Sequence, residues 1–376
     1  MNTFEKFDRK ILSLCSIGFI SGIIISFPLW THDRLFPVLP LLESLSLPSF
    51  LGNYLVYILL AILVSMLFFP RRLSISLALL LLFLFGLEDQ MRWQPWVYIY
   101  MLFFLGFTFN IPSSTRLFYC RLILISIYLW SGIHKISPHF VDHVFIPLME
   151  SVFLLHLPKY KIIGYGVSVM EISIAIGLFF KVTQRYSFFA LGILHLIILL
   201  WVSPWGNNTN YVIIPWNLAM MGLSYLCFYR KTEWSFAQQL TRMPFRKAHK
   251  ALLIVFFLLP LLSYVEKWPY YFSFHLYSGK GQTLSVAYKE VPLQVPEEYY
   301  QKPKNSPEFK DYKVINLNKW SYLELGVPVP SNHHIFHQLS TYFCALSEKN
   351  EPQFLLYQTI NYLGDYDVYT CGEFDL

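Results

Sequence analysis

The chain has 376 residues, of which 55% are hydrophobic, 19% aromatic and only 14% charged, and its mean hydropathy is +0.44. This composition excludes an ordinary soluble globular protein and is typical of a membrane protein. The net charge of +6 comes mainly from cations at the ends of apolar runs rather than from a basic stripe, so we expect no nucleic-acid partner.

Apolar runs of roughly 17 to 25 residues can cross a bilayer as helices, because each residue adds about 1.5 Å and the hydrocarbon core is about 30 Å thick. The sequence predicts a mostly α-helical protein with a bundle of about nine transmembrane helices. The first run continues through SIGFISGIIISFPLW without a small-residue cleavage site, which favours a retained helix over a signal peptide. The runs cover approximately residues 11–30, 51–70, 73–88, 96–110, 117–136, 162–181, 185–203, 211–229 and 251–266.

Alternate loops between these runs are rich in Lys and Arg, which favour the cytoplasmic side of a membrane. The basic set begins near the N-terminus with Arg9 and Lys10 and continues with Arg71 and Arg72. We therefore expect a multi-pass protein with a cytoplasmic N-terminus and an extracytoplasmic C-terminus. The short loops favour a bacterial inner membrane, although an endoplasmic-reticulum membrane would give the same topology.

Residues 267–376 are predicted to form a small α+β extracytoplasmic domain, which follows a helical membrane domain at residues 1–266. Strand-like patterns occur in LSVAYKEVPL, DYKVINLNKW, QFLLYQTINYL and DVYTC, and residues 332–350 form an amphipathic helix pattern. Cys344 and Cys371 both lie in this tail, where an oxidising compartment would permit a disulfide, but the sequence leaves the pairing open.

The helix at 332–350 also carries three histidines that could bind a metal ion on one helix face. A solvated histidine patch is the more common arrangement, and the sequence shows no zinc-ligand spacing, so no metal site is predicted. These residues are His333, His334 and His337.

The segment YLWSGIHKISPHF, residues 128–140, places His134 and Lys135 at the end of an apolar helix. Tyr128, Gly132 and Lys135 share a helix face, and the missing Gly side chain predicts a niche beside the amine. An ionisable group at membrane depth is costly and is a functional candidate by default. Alternatively, Lys135 extends to the lipid headgroups or caps the helix.

Other polar residues lie at comparable depth, including Glu171 and His195. Together they either line a proton-handling cavity or pair with one another to hold the bundle together. His195 alone is more often an interhelical hydrogen-bonding residue. A further group at the same depth consists of Glu88, Asp89, Gln90 and Arg92.

The segment PWNLAM, residues 215–220, places Trp216 and Asn217 beside Pro215. The proline either kinks the helix or leaves a carbonyl open to a ligand or another side chain. The abundant aromatic residues similarly form either interfacial belts or stacking walls for a flat ligand such as a quinone.

The segment IYLWSGIHKISPHFVDH resembles the part of the vitamin K-dependent gamma-carboxylases, and of their bacterial relatives with an HTTM (horizontally transferred transmembrane) domain, in which a Gly precedes a catalytic lysine by three residues. The matching lysine is Lys135. The resemblance continues through MEISIAIGLFFKVTQR, which contains Glu171, to His195 in the next helix. In the tail it covers YFSFHLYSGKGQTLSVAYKE and NHHIFHQLSTYFCALSEKNEPQFLLYQTINYL.

The resemblance implies a reduced, vitamin K-like quinone as the cofactor and Lys135 as the base that deprotonates it. A further family histidine beside the CO2 step falls at Trp96, so that catalytic group is absent. The other catalytic candidates, which would tune or relay protons, are His134, Glu171 and His195. The candidate cofactor-binding residues are Tyr128, Gly132, Trp216 and Asn217.

Two functional hypotheses follow from these patterns. The first is an integral-membrane enzyme, a quinone-dependent oxidoreductase or a carboxylase-like lyase, with a quinone-sized cavity that opens outward beside Lys135. The second is a noncatalytic membrane subunit whose bundle anchors the outward domain for an envelope or secreted protein partner. DoxX-like membrane proteins, which have a redox-associated role, offer a weaker resemblance to this second type. A transporter is third, because no inverted repeat is evident.

Overall fold

The computed structural model describes residues 4–42, 44, 48–153, 161–202, 210–230, 235–242, 247–265, 267–289, 295–301, 309–346, 351–358 and 366–373. Most of these residues are helical. The helices are α1 (Lys6–Ile25), α2 (Phe27–Trp30), α3 (Ser49–Phe68), α4 (Arg72–Glu88), α5 (Pro95–Thr108), α6 (Ser113–His134), α7 (Pro138–Phe140), α8 (Ile146–Phe153), α9 (Lys161–Phe179), α10 (Gln184–Val202), α11 (Ile213–Ser224), α12 (Phe236–Arg242), α13 (Lys247–Phe257), α14 (Leu317–Leu325) and α15 (His333–Ala345). The strands are β1 (Thr283–Tyr288), β2 (Tyr300–Gln301), β3 (Lys313–Asn316), β4 (Gln353–Tyr357) and β5 (Tyr366–Tyr369).

Four helices in the described part of the chain are long and apolar enough to cross a membrane: α3, α6, α9 and α10. Large apolar side chains are exposed along α3 and α10, and only 28% of the most apolar window of each helix is buried. An apolar surface of this extent is typical of a lipid-facing helix. These features agree with a helical membrane protein.

The predicted number of about nine spans is not supported, although each predicted run contains a helix. Several of these helices are too short to cross the hydrocarbon core on their own. α4 stops at Glu88, because the next residue, Asp89, adopts an extended backbone and its side chain accepts a hydrogen bond from the Met91 amide. α5 has 14 residues, which corresponds to about 21 Å, less than the hydrocarbon core of about 30 Å.

The helix α6 lies at the centre of the bundle. In its most apolar window 89% of the residues are buried, against 39% for α9. α6 packs along α9, and the bundle is completed around it by α1, α5, α10, α11 and α13. At the N-terminal end of α6, Arg116 forms an ion pair with Asp8 of α1, so the first turns of α1 and α6 lie at the same end of the bundle.

The tail contains a five-stranded sheet in the order β2-β3-β1-β4-β5, and every neighbouring pair is antiparallel. The strands β1, β3, β4 and β5 and the helix α15 occur where the sequence predicts them; the predicted residues 290–293, 347–350 and 359–363 lie outside the described part of the chain. Two elements were missed: the short strand β2, and α14, which begins in LNKW at the end of the second strand pattern. β3 ends at Asn316, whose side chain accepts a hydrogen bond from the Lys319 amide and so caps α14.

The tail docks on the loops at the opposite end of the bundle from Asp8. Glu324 of α14 accepts a hydrogen bond from the amide of Phe36 at 2.9 Å, and the Phe36 ring packs edge-on against Trp320. Gln338 of α15 bonds to Gln90 at 2.8 Å. The same apolar core continues from the bundle into the tail, so the domain boundary at residue 266 stays a prediction.

A disulfide joins Cys344 to Cys371, with the two Cα atoms 6.0 Å apart. The link ties the end of α15 to the residues that follow the edge strand β5. The pairing that the sequence left open is therefore formed. The remaining described cysteines, Cys15, Cys120 and Cys227, are free and buried.

Candidate functional site

The candidate base, Lys135, follows the last turn of α6 and is only 6% exposed. Its amide donates to the carbonyl of Gly132, and its side chain turns into the bundle. The Nζ atom lies 2.8 Å from each carboxylate oxygen of Glu171 on α9 and 2.6 Å from the Ser131 hydroxyl. Because an ammonium group has three donors, these three contacts satisfy it completely. Lys135 therefore does not extend to the headgroups.

Gly132 contributes to this ion pair by close helix packing, not by the predicted niche beside the amine. A Cβ atom on Gly132 would lie 2.9 Å from the backbone nitrogen of Ile172 and 2.9 Å from the carbonyl oxygen of Ser168. The space beside Gly132 is thus filled by the backbone of α9, and the predicted niche is absent there. The residue brings α6 and α9 close enough for Lys135 and Glu171 to meet.

A second polar chain runs from Tyr128 through His195 to Asn217. The Tyr128 hydroxyl lies 2.8 Å from His195 Nε2, and His195 Nδ1 lies 2.5 Å from Asn217 Oδ1. Because the Asn217 amide nitrogen donates to the carbonyl of Ile213, Asn217 presents its oxygen to His195. His195 consequently donates from Nδ1 and accepts the Tyr128 hydroxyl at Nε2, which assigns a neutral imidazole with one defined tautomer.

A small cavity of about 40 Å³ joins the ion pair to the polar chain. It has room for about two or three water molecules, since one water needs on the order of 10–15 Å³ by this measure. Six of the eight predicted site residues line this cavity: Tyr128, Lys135, Glu171, His195, Trp216 and Asn217. The cavity is much smaller than the quinone-sized space that the sequence led us to expect.

A larger chamber of about 150 Å³ adjoins the small cavity, and Trp216, Leu276 and Tyr277 line both. Leu276 and Tyr277 belong to the tail segment that precedes β1, and the backbone of Tyr277 is left-handed, with φ of 56°. A third space of about 710 Å³ shares Tyr270 and Lys280 with the chamber. The three spaces therefore lie one after another between the outer part of the tail and Lys135, with Leu276 and Tyr277 between the chamber and the small cavity.

His134 points away from the cavity and holds the tail segment. Its Nε2 donates to the carbonyl of Ser273 at 2.9 Å, its Nδ1 lies 3.0 Å from the Tyr264 hydroxyl, and its ring stacks on His275 with centroids 3.4 Å apart. Burial lowers the pKa of His275 to about 2, with smaller contributions from His134 and Lys280. The imidazole of His275 is therefore neutral, and His134 positions the segment that carries Tyr277.

The polar group at residues 88–92 has a packing role. Arg92 bonds to Glu88 at 2.6 Å, and Arg34 bonds to Asp89 at 2.6 Å, in side chains that are almost entirely buried. His32 adds a contact of 2.8 Å to Glu88. None of these residues lines the small cavity, which favours the interpretation that they hold the outer loops together.

Pro215 lies in the first turn of α11, which begins at Ile213. An amide in the first turn has no partner within the helix, so a proline there removes no hydrogen bond. The predicted kink therefore does not arise, and Trp216 and Asn217 are held on a regular turn. The sequence missed His275, Leu276 and Tyr277; its one local signal was the turn-rich segment HLYSGKG.

No metal-binding group was found among the described residues, where no three His, Cys, Asp or Glu side chains lie close enough together. His334 lies 3.2 Å from the Gln90 side-chain oxygen, at the junction of tail and bundle. Searches against protein-family models, curated proteins and solved structures give no match for the chain. The resemblance to the gamma-carboxylases thus stays a prediction from the quoted segments.

Proposed function

We propose that the chain is an integral-membrane enzyme, similar to the vitamin K-dependent gamma-carboxylases, that removes a proton from a reduced quinone. The observation that carries this proposal is the Lys135–Glu171 pair, in which both side chains are buried and border a cavity inside the bundle. Buried ionisable groups in such a place are costly, and function is the common reason for keeping them.

The base in this proposal is the pair rather than the amine alone. As an ion pair the two groups are net neutral, and so are the amine and carboxylic acid formed when one proton crosses between them. Either form gains one proton to become an ammonium and a carboxylic acid, with a net charge of +1. This positive charge then faces the anion left on the substrate and stabilises it in a medium of low dielectric constant.

The Tyr128–His195–Asn217 chain lies on the wall of the same cavity and is oriented for proton transfer. Asn217 fixes the imidazole of His195 with its Nε2 lone pair towards the Tyr128 hydroxyl. A proton that leaves Tyr128 has His195 as its acceptor at 2.8 Å. In this proposal the chain adjusts the protonation of the cavity while Lys135 and Glu171 take the substrate proton.

The chamber next to the cavity fits an aromatic ligand that carries oxygen acceptors. Its walls include Trp96, Trp216 and Tyr271, and the indole N–H groups of Trp96 and Trp216 are buried with no hydrogen-bond partner among the described residues. An indole N–H can only donate, so it suits a ring oxygen. A bound reduced quinone would supply an acidic ring hydroxyl. The cavity of about 40 Å³ has room for only about two or three water molecules, so in this proposal the ring lies in the larger chamber of about 150 Å³.

Carboxylation is left out of the proposal because of Trp96. This residue stands where the resemblance places the histidine of the CO2 step, and it lines the chamber. An indole N–H does not exchange a proton near neutral pH as an imidazole does. The proposal therefore ends at deprotonation of the reduced quinone and its oxidation by molecular oxygen, which yields the quinone epoxide and one water molecule.

The membrane arrangement in this proposal is a bacterial inner membrane with the N-terminus in the cytoplasm. Its support is the cluster of Lys6, Arg9 and Lys10 in the first turns of α1, at the end of the bundle opposite the tail. We further propose that the shorter apolar helices, among them α4 and α5, complete the bundle across the bilayer beside the four long ones.

The proposal is tested with purified protein in nanodiscs, by measuring binding of a reduced naphthoquinone and oxygen-dependent formation of its epoxide. We expect Lys135→Ala to lower turnover about 100-fold or more, as for loss of a general base, while binding of the ring in the chamber changes little. The matched control is Lys161→Ala, because Lys161 forms an exposed pair with Asp142 at 2.8 Å. The control is expected to keep parental turnover.

A double variant, Lys135→Met with Glu171→Leu, separates catalysis from folding, because it removes both charges and leaves no buried ion alone. It is expected to fold and to be inactive. Absence of quinone-dependent turnover in the parent, or full turnover in the double variant, would overturn the proposal. A stoichiometric protein partner retained by Lys135→Ala, with no turnover in the parent, would instead favour the noncatalytic subunit.

A further inference from the structure

A groove of about 500 Å³ runs along the surface between α1 and α11, at the end of the bundle away from the tail. One face of α1 forms a wall of this groove. The face begins with Lys6, Arg9 and Lys10 and continues with Leu14 and Ile17, at helical spacings of three and four residues. The groove is therefore cationic at one end and apolar along its length, which is about 16 Å from Lys6 to Ile17.

The opposite wall is formed by the end of α11 and the π-helical segment that follows it, Tyr225–Arg230. At Gly222 an added Cβ atom would lie 2.6 Å from a Leu14 methyl carbon, so the two helices touch there. Tyr225 and Leu226 line the groove beyond this contact. Ile17 is 52% exposed and Tyr225 41% exposed, so the apolar part of the groove is open at the surface that faces lipid.

Within the described first turns of α1, the acidic residues beside the cationic end are Glu5, which precedes the helix, and Asp8. The nearest acidic side chain on the helix, Asp8, is buried and is bound by Arg116 and by the Ser113 hydroxyl at 3.0 Å. Among the described residues no ion pair involves Lys6, Arg9 or Lys10; Arg9 donates from Nε to the carbonyl of Phe4. The positive charge at this end is thus directed outward.

The groove is not the only basic feature near this end of the bundle. Arg121 donates to the carbonyl of Cys227, which fixes the π-helical segment against the N-terminal half of α6. Gln184, at the start of α10, bonds to the carbonyl of Phe228 in the same segment. Further cations lie at element ends near this side of the bundle: Arg71 and Arg72 at the start of α4, where Arg72 lies over the Phe4 ring, Lys181 and Arg185 beside Phe228 and Tyr229, and Arg230 at the end of the π-helical segment.

We propose that this groove binds an anionic membrane phospholipid, with its phosphate at Lys6, Arg9 and Lys10 and one acyl chain along Leu14 and Ile17. Charge complementarity selects the headgroup, since a basic cluster at the end of a membrane helix attracts anionic lipids by about 1 kcal/mol per cation, or about fivefold in affinity. The apolar wall selects a lipid rather than a free anion. This site is separate from Lys135 and does not depend on the proposed enzyme activity.

The test uses the full chain in detergent and compares phosphatidylglycerol with phosphatidylcholine by native mass spectrometry and by the thermal unfolding midpoint. The parent is expected to retain phosphatidylglycerol about 100-fold more strongly than phosphatidylcholine, as three cations at about fivefold each imply, and to unfold at a higher temperature with it. Both effects are expected to weaken as salt is raised, because the cations are exposed.

The triple variant Lys6→Gln, Arg9→Gln, Lys10→Gln should lose the preference. The control triple variant Arg71→Gln, Lys181→Gln, Arg230→Gln removes the same charge from exposed cations at the same end of the bundle and should keep it. Ser13→Phe, which fills the groove without changing charge, should weaken retention of both lipids.

Three results would overturn the proposal. The first is equal retention of the two lipids by the parent. The second is an equal loss of preference in the two triple variants, which would mean that net charge alone is responsible. The third is full stabilisation by inorganic phosphate alone, which would mean that the cations bind a free anion and the apolar wall plays no part.

Discussion

Lys135 and Glu171 show how a single residue pair depends on its surroundings. The Lys135 ammonium group donates hydrogen bonds to both carboxylate oxygens of Glu171. Both groups are buried, and either ion without its partner would carry a large desolvation cost. The sequence could indicate that a lysine near the end of an apolar helix was unusual. It also gave Glu171 as a candidate at the same depth but could not assign it as the partner, because Glu171 is 36 residues away and only the packing of α6 on α9 brings the two together.

Glu171→Gln tests the pair directly. Removal of one partner leaves a buried ammonium group with an uncharged neighbour, so we expect a loss of about 3–5 kcal/mol in the free energy of unfolding. Denaturant unfolding followed by tryptophan fluorescence measures it. Asp142→Asn removes the acidic partner of the exposed Lys161 and should cost less than about 1 kcal/mol. Equal losses in the two variants would contradict the buried-pair interpretation.

His275 makes stability depend on pH. Its pKa is lowered to about 2 in the folded protein, mainly by burial, whereas a histidine in the unfolded chain has a pKa of about 6.5. The stabilisation of the folded state by neutral His275 is fully present above about pH 6.5. It is lost as the pH falls from there towards about 2, because only the unfolded chain takes up the proton. Over this range the free energy of unfolding falls by up to about 1.4 kcal/mol per pH unit.

The measurement for His275 is the unfolding free energy of the parent and of His275→Gln between pH 7 and pH 4. The variant should have a shallower slope over this range, since it lacks the group that titrates on unfolding. His333→Gln is the control, because His333 is exposed on α15, and it should follow the parent. Parallel curves for the parent and His275→Gln would contradict the assignment.

At the scale of elements, the contact between α6 and α9 places the site. Apolar runs were enough to locate both helices, because burial of one face dominates helix placement. The expected number of about nine spans is not supported because apolar runs do not report helix length: α5 has 14 residues and α13 has 11, although each overlaps a predicted run. α14 was missed for a related reason: its start depends on the Asn316 cap, while its residues also fit a strand pattern.

Gly132→Ala tests this helix contact. The new methyl group would meet the backbone of α9 at 2.9 Å, which cannot move as a side chain can, so we expect α6 and α9 to separate and stability to fall by about 1–3 kcal/mol. The Lys135–Glu171 distance should lengthen, with loss of any activity that depends on the pair.

Gly166→Ala is the matched control for Gly132→Ala, because Gly166 lies on α9 with no atom within 4 Å of its added Cβ. This change should stabilise the helix by up to about 1 kcal/mol, since Ala is the better helix former. Thermal unfolding of the two variants is the comparison. Equal effects would mean that Gly132 has no special role in helix packing.

At the scale of the whole molecule, the tail closes the site that the bundle builds. Leu276 and Tyr277 separate the small cavity from the chamber, and His134 and His275 hold the segment that carries them. The sequence placed this segment in the tail but gave no sign that it lies against α6. Contacts of this kind join residues more than a hundred positions apart and have no local pattern.

Tyr277→Ala should open the small cavity to the chamber, because it removes a side chain shared by both walls. The readout is the rate at which a small thiol reagent labels the cysteine introduced by Ser131→Cys, with and without Tyr277→Ala. The parent, whose described free cysteines are buried, gives the background rate. We expect faster labelling with Tyr277→Ala. The control Tyr312→Ala, in the tail away from the cavities, should leave the labelling rate unchanged. An unchanged rate for Tyr277→Ala would contradict the interpretation that Tyr277 separates the cavity from the chamber.

The position of Leu276 and Tyr277 late in the chain has a consequence for biogenesis. Lys135 and Glu171 are synthesised more than a hundred residues before Tyr277. Until then the wall between the cavity and the chamber is missing, and water has access to the charged pair. A nascent or truncated chain is therefore hydrated at its centre, and the low-dielectric interior arises only when translation has passed the tail segment.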